Sequence, residues 1–341
     1  MPPPPERSFA RRIDLASLQL FVAVCELGSI GRAAEQAHLA ASAVSKRLSD
    51  LEAAAGTALL TRHSRGAVPT PAGESLLHHA RTVLFGLERM QSELGEYAGG
   101  VRGHVRVHAN ISAIVQFLPE DLGSFAHAHP QTKIDLHEHL SSAVLQAVRE
   151  GAADLGICHT ASGAGASTVA AAAGTDLDSR PYRADRLLLV VPEGHALAGR
   201  AAVCFAEVLD WDIVGLHANS SIGLALRAAA AAAGRPLRQR IQVTGLDAMC
   251  RMIDNGLGVG VLPDQAFALM RGVGRGRLQS VALQDAWAAR ELRLVARDFA
   301  ALPATARLLV EHLQARQPTP ARLPGSAVDG DAATGQQHGS A

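Results

Sequence analysis

The chain has 341 residues, 48% of them apolar but only 4% aromatic, which suits two or three domains with cores packed by Leu, Val, Ile and Ala. Its 32 basic residues balance its 32 acidic ones, so no bulk charge announces a nucleic-acid partner and any positive surface has to be local. No apolar run approaches the roughly 20 residues of a membrane span, and the Met-Pro-Pro-Pro-Pro-Glu-Arg start has no apolar h-region, so the expectation is a cytoplasmic protein without membrane contact.

In chain order, residues 1–12 read as a disordered arm, with Pro2 to Pro5 favouring an extended polyproline segment. Residues 13–70 read as three short helices and a hairpin. In the first, Leu18, Phe21, Val22 and Cys25 form one stripe at i, i+3, i+4, i+7. Gly28 ends it, and Ser29 is a good N-cap for the next helix, where Ile30, Ala33, Ala34 and Ala37 repeat the spacing. The third helix runs from about Ala41 to Ala54, with Val44, Leu48 and Leu51 inward and Gly56 closing it. A two-stranded wing of roughly Ala58 to Val68 follows, with its tip at Ser64-Arg65-Gly66.

Thr70-Pro71 opens a long helix over residues 71–98, Thr as N-cap and Pro at the first position. Leu76, Ala80, Val83, Leu87, Met90 and Leu94 step by 4, 3, 4, 3, 4, the a/d seam of a dimer. Packing of that stripe on its own chain is the alternative.

Residues 100–316 alternate strand and helix, which predicts a parallel sheet with crossover helices. Strands are expected at His104–His108, around Ile134 and Leu136, at Asp154–Cys158, Leu187–Val191, Asp212–Gly215, Arg240–Val243, Gly258–Leu262 and Glu291–Asp298. Helices are expected at Phe117–Ala128, from a Ser142 cap to Gly151, at Ile222–Ala233, Leu246–Asn255 and Pro303–Gln314. A Gly/Ala/Ser stretch, Ala161 to Gly174, interrupts the pattern. Two units joined near 162 and 265 make a two-lobed domain: lobe I about 100–162 and 266–316, lobe II about 163–265. Residues 317–341, rich in Pro, Gly and polar groups, read as a disordered tail. The fold class is therefore α/β overall: an all-α winged helix-turn-helix, a long linker helix and a two-lobed α/β domain of the periplasmic-binding-protein kind.

Opposite the apolar stripe of the third helix lie Ser42, Ser45, Lys46 and Ser49, again at i, i+3, i+4, i+7. A face so small and polar fits a major groove about 12 Å wide, and serine hydroxyls can donate or accept at base edges and phosphates. Lys46 and Arg47 supply charge there. Arg62, His63 and Arg65 supply it at the wing, for the backbone or the minor groove. Ser29 and Arg32, at the start of the second helix, complete the candidate DNA contacts; Arg7, Arg11 and Arg12 add charge ahead of the fold.

The stretch LQLFVAVCELGSIGRAAEQAHLAASAVSKRLSDLEAAAGTALLTRHSRGAVPTPAGESLLHHAR resembles the head of LysR-type transcriptional regulators, as does the later run Gly256 to Pro263. The resemblance covers about Ile13 to Gln314. It implies sequence-specific duplex DNA binding modulated by a small effector, commonly a small organic acid. It implies contacts at Ser42, Ser45, Lys46 and Arg47, with Arg62 and Arg65 in the wing. It further implies a homodimer or homotetramer associated with the nucleoid, with RNA polymerase as a further partner, no cofactor and no enzymatic activity. Two positions depart from the family pattern. Ala41-Ser42 stands where Gln-Pro is frequent, and Leu60 stands for the wing's Phe.

In α/β sheets, ligands sit at the carboxyl ends of strands, against helix N-termini. Asn110 and Ser112, Ser141 and Ser142, and Asn219, Ser220 and Ser221 occupy such places, with His159 and Thr244 as further effector candidates. Each serine can equally be a plain N-cap worth about 1 kcal/mol. Other signals weigh less. Gly256-Leu-Gly258-Val-Gly260 lies within a strand, not at a helix start. His127-x-His129 and His137-x-His139 lack a nearby Cys/His cluster in sequence, so no metal is expected. Cys25, Cys158, Cys204 and Cys250 form no CxxC pair and read as reduced thiols, with no disulfide framework or zinc module. A solute-binding protein or an α/β enzyme without DNA binding is the rival reading. The first leaves residues 13–97 unexplained, and the second finds no catalytic pair.

Overall fold

The computed structural model describes residues 12–63, 66–99, 103–159, 176–272 and 277–316. The arm with Arg7 and Arg11, the wing tip Ser64-Arg65, the Ala161–Gly174 stretch and the tail from residue 317 lie outside the described residues.

Three helices, α1 (Leu15–Leu27), α2 (Ile30–Gln36) and α3 (Ala41–Ala55), precede the wing strands β1 (Leu60–His63) and β2 (Gly66–Pro69). Asp14 caps α1 by accepting the Ser17 amide at 2.8 Å. Gly28 ends α1 in the left-handed region, and Ser29 caps α2 at once. The core gathers Leu18, Phe21, Ala33, Ala34, Val44, Leu48 and Leu51 with Leu59, Leu60 and Ala67 from the wing. The buried arc of α1 is rotated from the expected stripe. Leu20 and Val24 are buried while Val22 and Cys25 are half-buried, because α1 packs against α2, α3 and the following helix at once.

That helix, α4 (Pro71–Gly99), starts with Thr70 Oγ1 accepting the Gly73 amide at 3.0 Å. Leu77 and Ala80 bury its first turns in the same core. Farther along, Val83, Met90 and Leu94 are exposed apolar side chains.

The rest is α/β. One part comprises β3 (His104–Ala109), α5 (Ile111–Gln116), α6 (Leu118–Ala128), β4 (Lys133–Glu138), α7 (Ser141–Glu150) and β5 (Leu155–His159). The long β6 (Asp178–Pro192) leads to β7 (Ala202–Val203), α8 (Phe205–Val208), β8 (Ile213–Leu216), α9 (Ser221–Ala232), β9 (Gln239–Val243), α10 (Leu246–Asp254), β10 (Gly260–Pro263), α11 (Asp264–Met270) and β11 (Leu278–Leu283). Then β12 (Ala289–Ala296) and α12 (Ala304–Ala315) return to the first part.

Strand order is β4-β3-β5-β12-β6-β11-β7, with β10 also on β6. The sheet is mixed, not parallel. Crossover helices make β3 parallel to β4 and β5, whereas β12 runs antiparallel to both β5 and β6. Residues 178–186 of β6 pair with β12, and residues 187–192 pair with β10 or β11. The chain thus passes between lobes at Arg186–Leu187, and again between Leu283 and Ala289, downstream of the joins read near 162 and 265. Val105, Val107, Phe125, Leu155, Leu292 and Leu309 centre one lobe's core. Leu187, Leu189, Val191, Val214, Ile253 and Val261 centre the other.

Candidate nucleic-acid interface and ligand cleft

The inner side of α3 is fixed by Val44, Leu48 and Leu51, each buried to 2% exposure or less. The opposite side therefore faces solvent: Ser42, Lys46, Arg47 and Ser49 are exposed, and Ser45 is half-buried. The wing is locked to this face. Glu52 Oε1 accepts the Leu59 and Leu60 amides at 2.9 and 3.1 Å. Arg62 donates to Ser45 Oγ at 2.8 Å and Ser49 Oγ at 3.4 Å, and lies 3.6 Å from Glu52. The guanidinium is thereby laid along the helix, and Ser45 keeps its hydroxyl proton free to donate elsewhere.

Arg47 pairs with Asp14 at 3.4 Å. Among the described residues, Lys46 makes neither a hydrogen bond nor an ion pair, so its ammonium is available for a phosphate. Arg32 folds back onto the Leu27 carbonyl, and Ser29 Oγ accepts the Arg32 amide at 3.4 Å, a capping role. His63 is exposed on the wing; Arg65 is outside the described residues. Asp14 and Glu52, which position Arg47 and the wing, were not singled out from sequence. Asp14 carried a legible signal, an acid immediately before an apolar-periodic helix.

The second constellation lies where the lobes meet. Asn110 caps α5 by accepting the Ala113 amide at 3.1 Å, which fixes its amide orientation. Its Nδ2 then donates to Ser141 Oγ at 3.2 Å and to His159 Nδ1 at 2.9 Å. With Nδ1 as acceptor, the His159 proton sits on Nε2 and is donated to Asp185 Oδ2 at 2.8 Å. Arg290 donates to the same Asp185 oxygen and, at 3.4 Å, to Ser221 Oγ from the other lobe. Gln116 Nε2 donates to the Ser112 carbonyl at 3.0 Å and lies 3.4 Å from Asp185 Oδ1.

Burial pushes His159 down to about 4, and the neighbouring Arg290 charge adds to this against the pull of Asp185, so the imidazole is neutral. Burial raises the Asp185 carboxyl, but Arg290 and His159 outweigh it and hold the group below the usual carboxylate range. Three buried atoms in this region have no hydrogen-bond partner: Ser112 Oγ, Gln116 Oε1 and Arg290 Nε. Such atoms cost free energy unless something completes them.

Not every expected cleft residue joins in. Ser142 is exposed at the second position of α7, whose N-cap is Leu140 and has no side-chain capping bond. Ser220 Oγ accepts the Gly223 amide at 3.0 Å and is a plain cap. Asn219 and Thr244 are exposed, and no side-chain hydrogen bond joins either to the network. Gln116, Asp185 and Arg290 are the residues that sequence reasoning missed.

Two family descriptions match the chain. Residues 15–74 match the bacterial regulatory helix-turn-helix protein of the lysR family. Residues 98–318 match the LysR substrate binding domain. An uncharacterised HTH-type transcriptional regulator of Mycobacterium bovis is 30% identical over 316 residues, 90% of this chain and 98% of that protein. The HTH-type transcriptional regulator GbpR of Azospirillum brasilense is 31% identical over 186 residues, 54% of this chain but only 52% of that protein. In fold, the chain is similar to CbnR, a LysR family transcriptional regulator. CbnR alone gives a TM-score of 0.64, and CbnR complexed with target DNA gives 0.62. In both, identity is 18%, and 89% of this chain and 99% of that one are covered. A helix-turn-helix with an open reading face, a long helix and a substrate-binding domain are all in place, and the chain belongs to the LysR family of DNA-binding transcriptional regulators.

Proposed function

We propose that two copies of α3 and its wing read half-sites along one face of a duplex, and that a small organic anion at the interlobe network sets the geometry of the pair. The observation that carries the reading is the outward side of residues 42–49: polar, basic and open, directly opposite a fully buried stripe. Ser42, Ser45 and Ser49 are assigned to base edges and phosphates, Lys46 and Arg47 to phosphates, and Arg62, His63 and Arg65 to the flanking backbone. Ser29 and Arg32 approach the duplex from the start of α2. Residues 13–70 are the reading head, 71–98 the linker and 100–316 the sensor. Val83, Met90 and Leu94, exposed on α4 at 46%, 51% and 61%, supply the seam for a second copy. Assembly to a tetramer, contact with RNA polymerase and a cytoplasmic, nucleoid location belong to the same reading.

Support for an anionic effector is local. Arg290, its side chain 9% exposed, bonds Asp185 and Ser221 but has no partner at Nε; Asn110, Ser112, Ser141 and His159 belong to the same network, and a carboxylate would complete that atom. Genomic fragments retained by the protein, followed by gel shift against salt, test the DNA half. Lys46→Ala should weaken binding and flatten the salt slope by roughly one unit. A folded protein that ignores every fragment at low ionic strength overturns it. For the sensor half, thermal shifts with simple mono- and dicarboxylates should appear in the parent and vanish in Arg290→Gln. Equal shifts in both overturn the anion assignment.

A further inference from the structure

The atoms of the interlobe network that lack partners ask for more than a negative charge. Arg290 Nε is a pure donor, Gln116 Oε1 is a pure acceptor, and Ser112 Oγ can act as either. The orientation of the Gln116 amide follows from its neighbours. Its Nε2 lies 3.0 Å from the Ser112 carbonyl and 3.4 Å from Asp185 Oδ1, and both of those are acceptors. Turning the amide over would set its oxygen against two other oxygens. The unpartnered atom is therefore the carbonyl oxygen, and only a donor completes it.

The three groups belong together. Ser112 and Gln116 stand four residues apart on α5, one turn from each other. The Gln116 amide and the Arg290 guanidinium meet at Asp185, the first at Oδ1 and the second at Oδ2. They also meet where the chain crosses between lobes. Asp185 stands one residue before the crossing at Arg186–Leu187, and Arg290 is the second residue of β12, just after the return. Its Nη1 reaches Ser221 of the other lobe at 3.4 Å.

A plain carboxylate answers Arg290 Nε but leaves Gln116 Oε1 buried without a donor, at the full desolvation cost of that atom. A ligand that also carries a hydroxyl answers all three. Its carboxylate accepts from Arg290 Nε, and its hydroxyl donates to Gln116 Oε1 and accepts from Ser112 Oγ. An ammonium in the hydroxyl's place suits the network less. It brings three donors to two vacant acceptors, beside the positive Arg290, and the Asp185 oxygen on the Arg290 side is already shared by Arg290 and His159.

We propose that the effector is a hydroxycarboxylate, with Arg290 taking the carboxylate and Gln116 and Ser112 reading the hydroxyl. The inference rests on the anion reading of the interlobe network above and adds the hydroxyl to it. Because the Gln116 amide also reaches Asp185, it ties recognition of the hydroxyl to the strand that enters the other lobe.

Calorimetric titration of the full chain with two matched sets tests the class: propionate, lactate and alanine, then succinate, malate and aspartate, each hydroxy acid in both enantiomers. In at least one set the hydroxy acid should bind about tenfold or more tighter than both the plain acid and the amino acid. Gln116→Leu keeps the side-chain size and removes the acceptor, so it should bring the hydroxy acid down to the plain acid. Ser112→Ala, a smaller change, should narrow the same preference, and it carries the test if circular dichroism shows that Gln116→Leu does not fold. A plain acid bound as tightly as its hydroxy partner overturns the hydroxyl requirement and leaves the anion reading standing. Preference for the amino acid overturns it as well. A preference that survives both substitutions overturns the assignment to Gln116 and Ser112. Absence of binding by every acid in both sets overturns the anion reading and this inference with it.

Discussion

His159 is a titratable group that the fold uses as a fixed donor and acceptor. Asn110, Ser221 and Asp185 bond it and the Arg290 charge lies nearby, and its neutral form fits all four. Its folded value near 4 lies below the roughly 6.5 of a free imidazole. The unfolded chain therefore binds the proton more readily. Stability from this group is fully present above about pH 6.5, declines as pH falls and is lost near pH 4, a change of at most about 3 kcal/mol. Melting temperatures recorded between about pH 7.5 and about pH 4.5 should fall more steeply in the parent than in His159→Gln, whose amide can still bond Asn110 and Asp185. Identical slopes would mean that His159 is not held neutral. Gly66 makes a different demand. Its φ is +144°, and an added Cβ would stand 2.1 Å from the Gly28 carbonyl, which already accepts the Ala67 amide at 3.0 Å. Gly66→Ala should therefore cost about 1–3 kcal/mol in urea unfolding and pull the wing from the α1–α2 turn, weakening DNA binding. Gly28→Ala meets no atom within 4 Å and should cost less. The reverse ranking would show that the wing does not need this approach.

Capping separates the helices of the head. Asp14 and Ser29 cap α1 and α2, but the N-cap of α3 is Ala40, extended at φ −70° and ψ 138° with no side-chain bond. A hydroxyl fits that backbone, so Ala40→Ser should stabilise the head by about 1 kcal/mol. Thermal unfolding checks it, and a lowered melting temperature would mean that the N-terminus of α3 is already satisfied. The same local chemistry made this region legible in sequence: stripes, caps and closing glycines all sit within a turn or two of what they act on. Elsewhere the decisive partner is remote. Residues 178–186, Asp-Ser-Arg-Pro-Tyr-Arg-Ala-Asp-Arg, carry no strand pattern in sequence and are strand only because β12 pairs with them. The helix α5 has six residues, too few to show a period. Strand direction leaves no local trace, so the mixed sheet was read as parallel. In the cleft, Asn110, Ser141, His159 and Ser221 were legible because they sit at or just past strand ends. Asp185 and Arg290 lie within strands where the lobes cross and meet only through the antiparallel β6–β12 register.

Across the whole molecule, α4 belongs to the reading head and the sensor at once. Arg81 joins Glu26 of α1 at 3.0 Å to Glu150 of α7 at 3.6 Å, and His78 lies 3.7 Å from the same Glu150. Farther along, Arg89 donates to the Ala301 carbonyl at 2.7 Å. Arg106 stacks on Phe85 and approaches Glu88 at 3.8 Å. Each partly exposed pair contributes only about 0–1 kcal/mol. Apart from the Arg81–Glu26 pair to α1, their shared property is direction: each resists rotation of α4 relative to a lobe in which Asn110 follows β3 and Ser141 opens α7. On the proposed reading, a change at the network would reach the head through the setting of α4, not through the reading face. This separates two kinds of affinity. On the proposed dimer, binding to a single half-site would depend on α3 and the wing, whereas binding to a full site would also depend on how the linkers space two heads. Arg81→Ala should leave unfolding free energy within about 1 kcal/mol of the parent and half-site affinity unchanged, while lowering full-site affinity. Gel shifts on DNA carrying one or two half-sites measure the difference. If both affinities fell by the same factor, Arg81 would be supporting the reading face itself, and the route from cleft to DNA would have to run elsewhere.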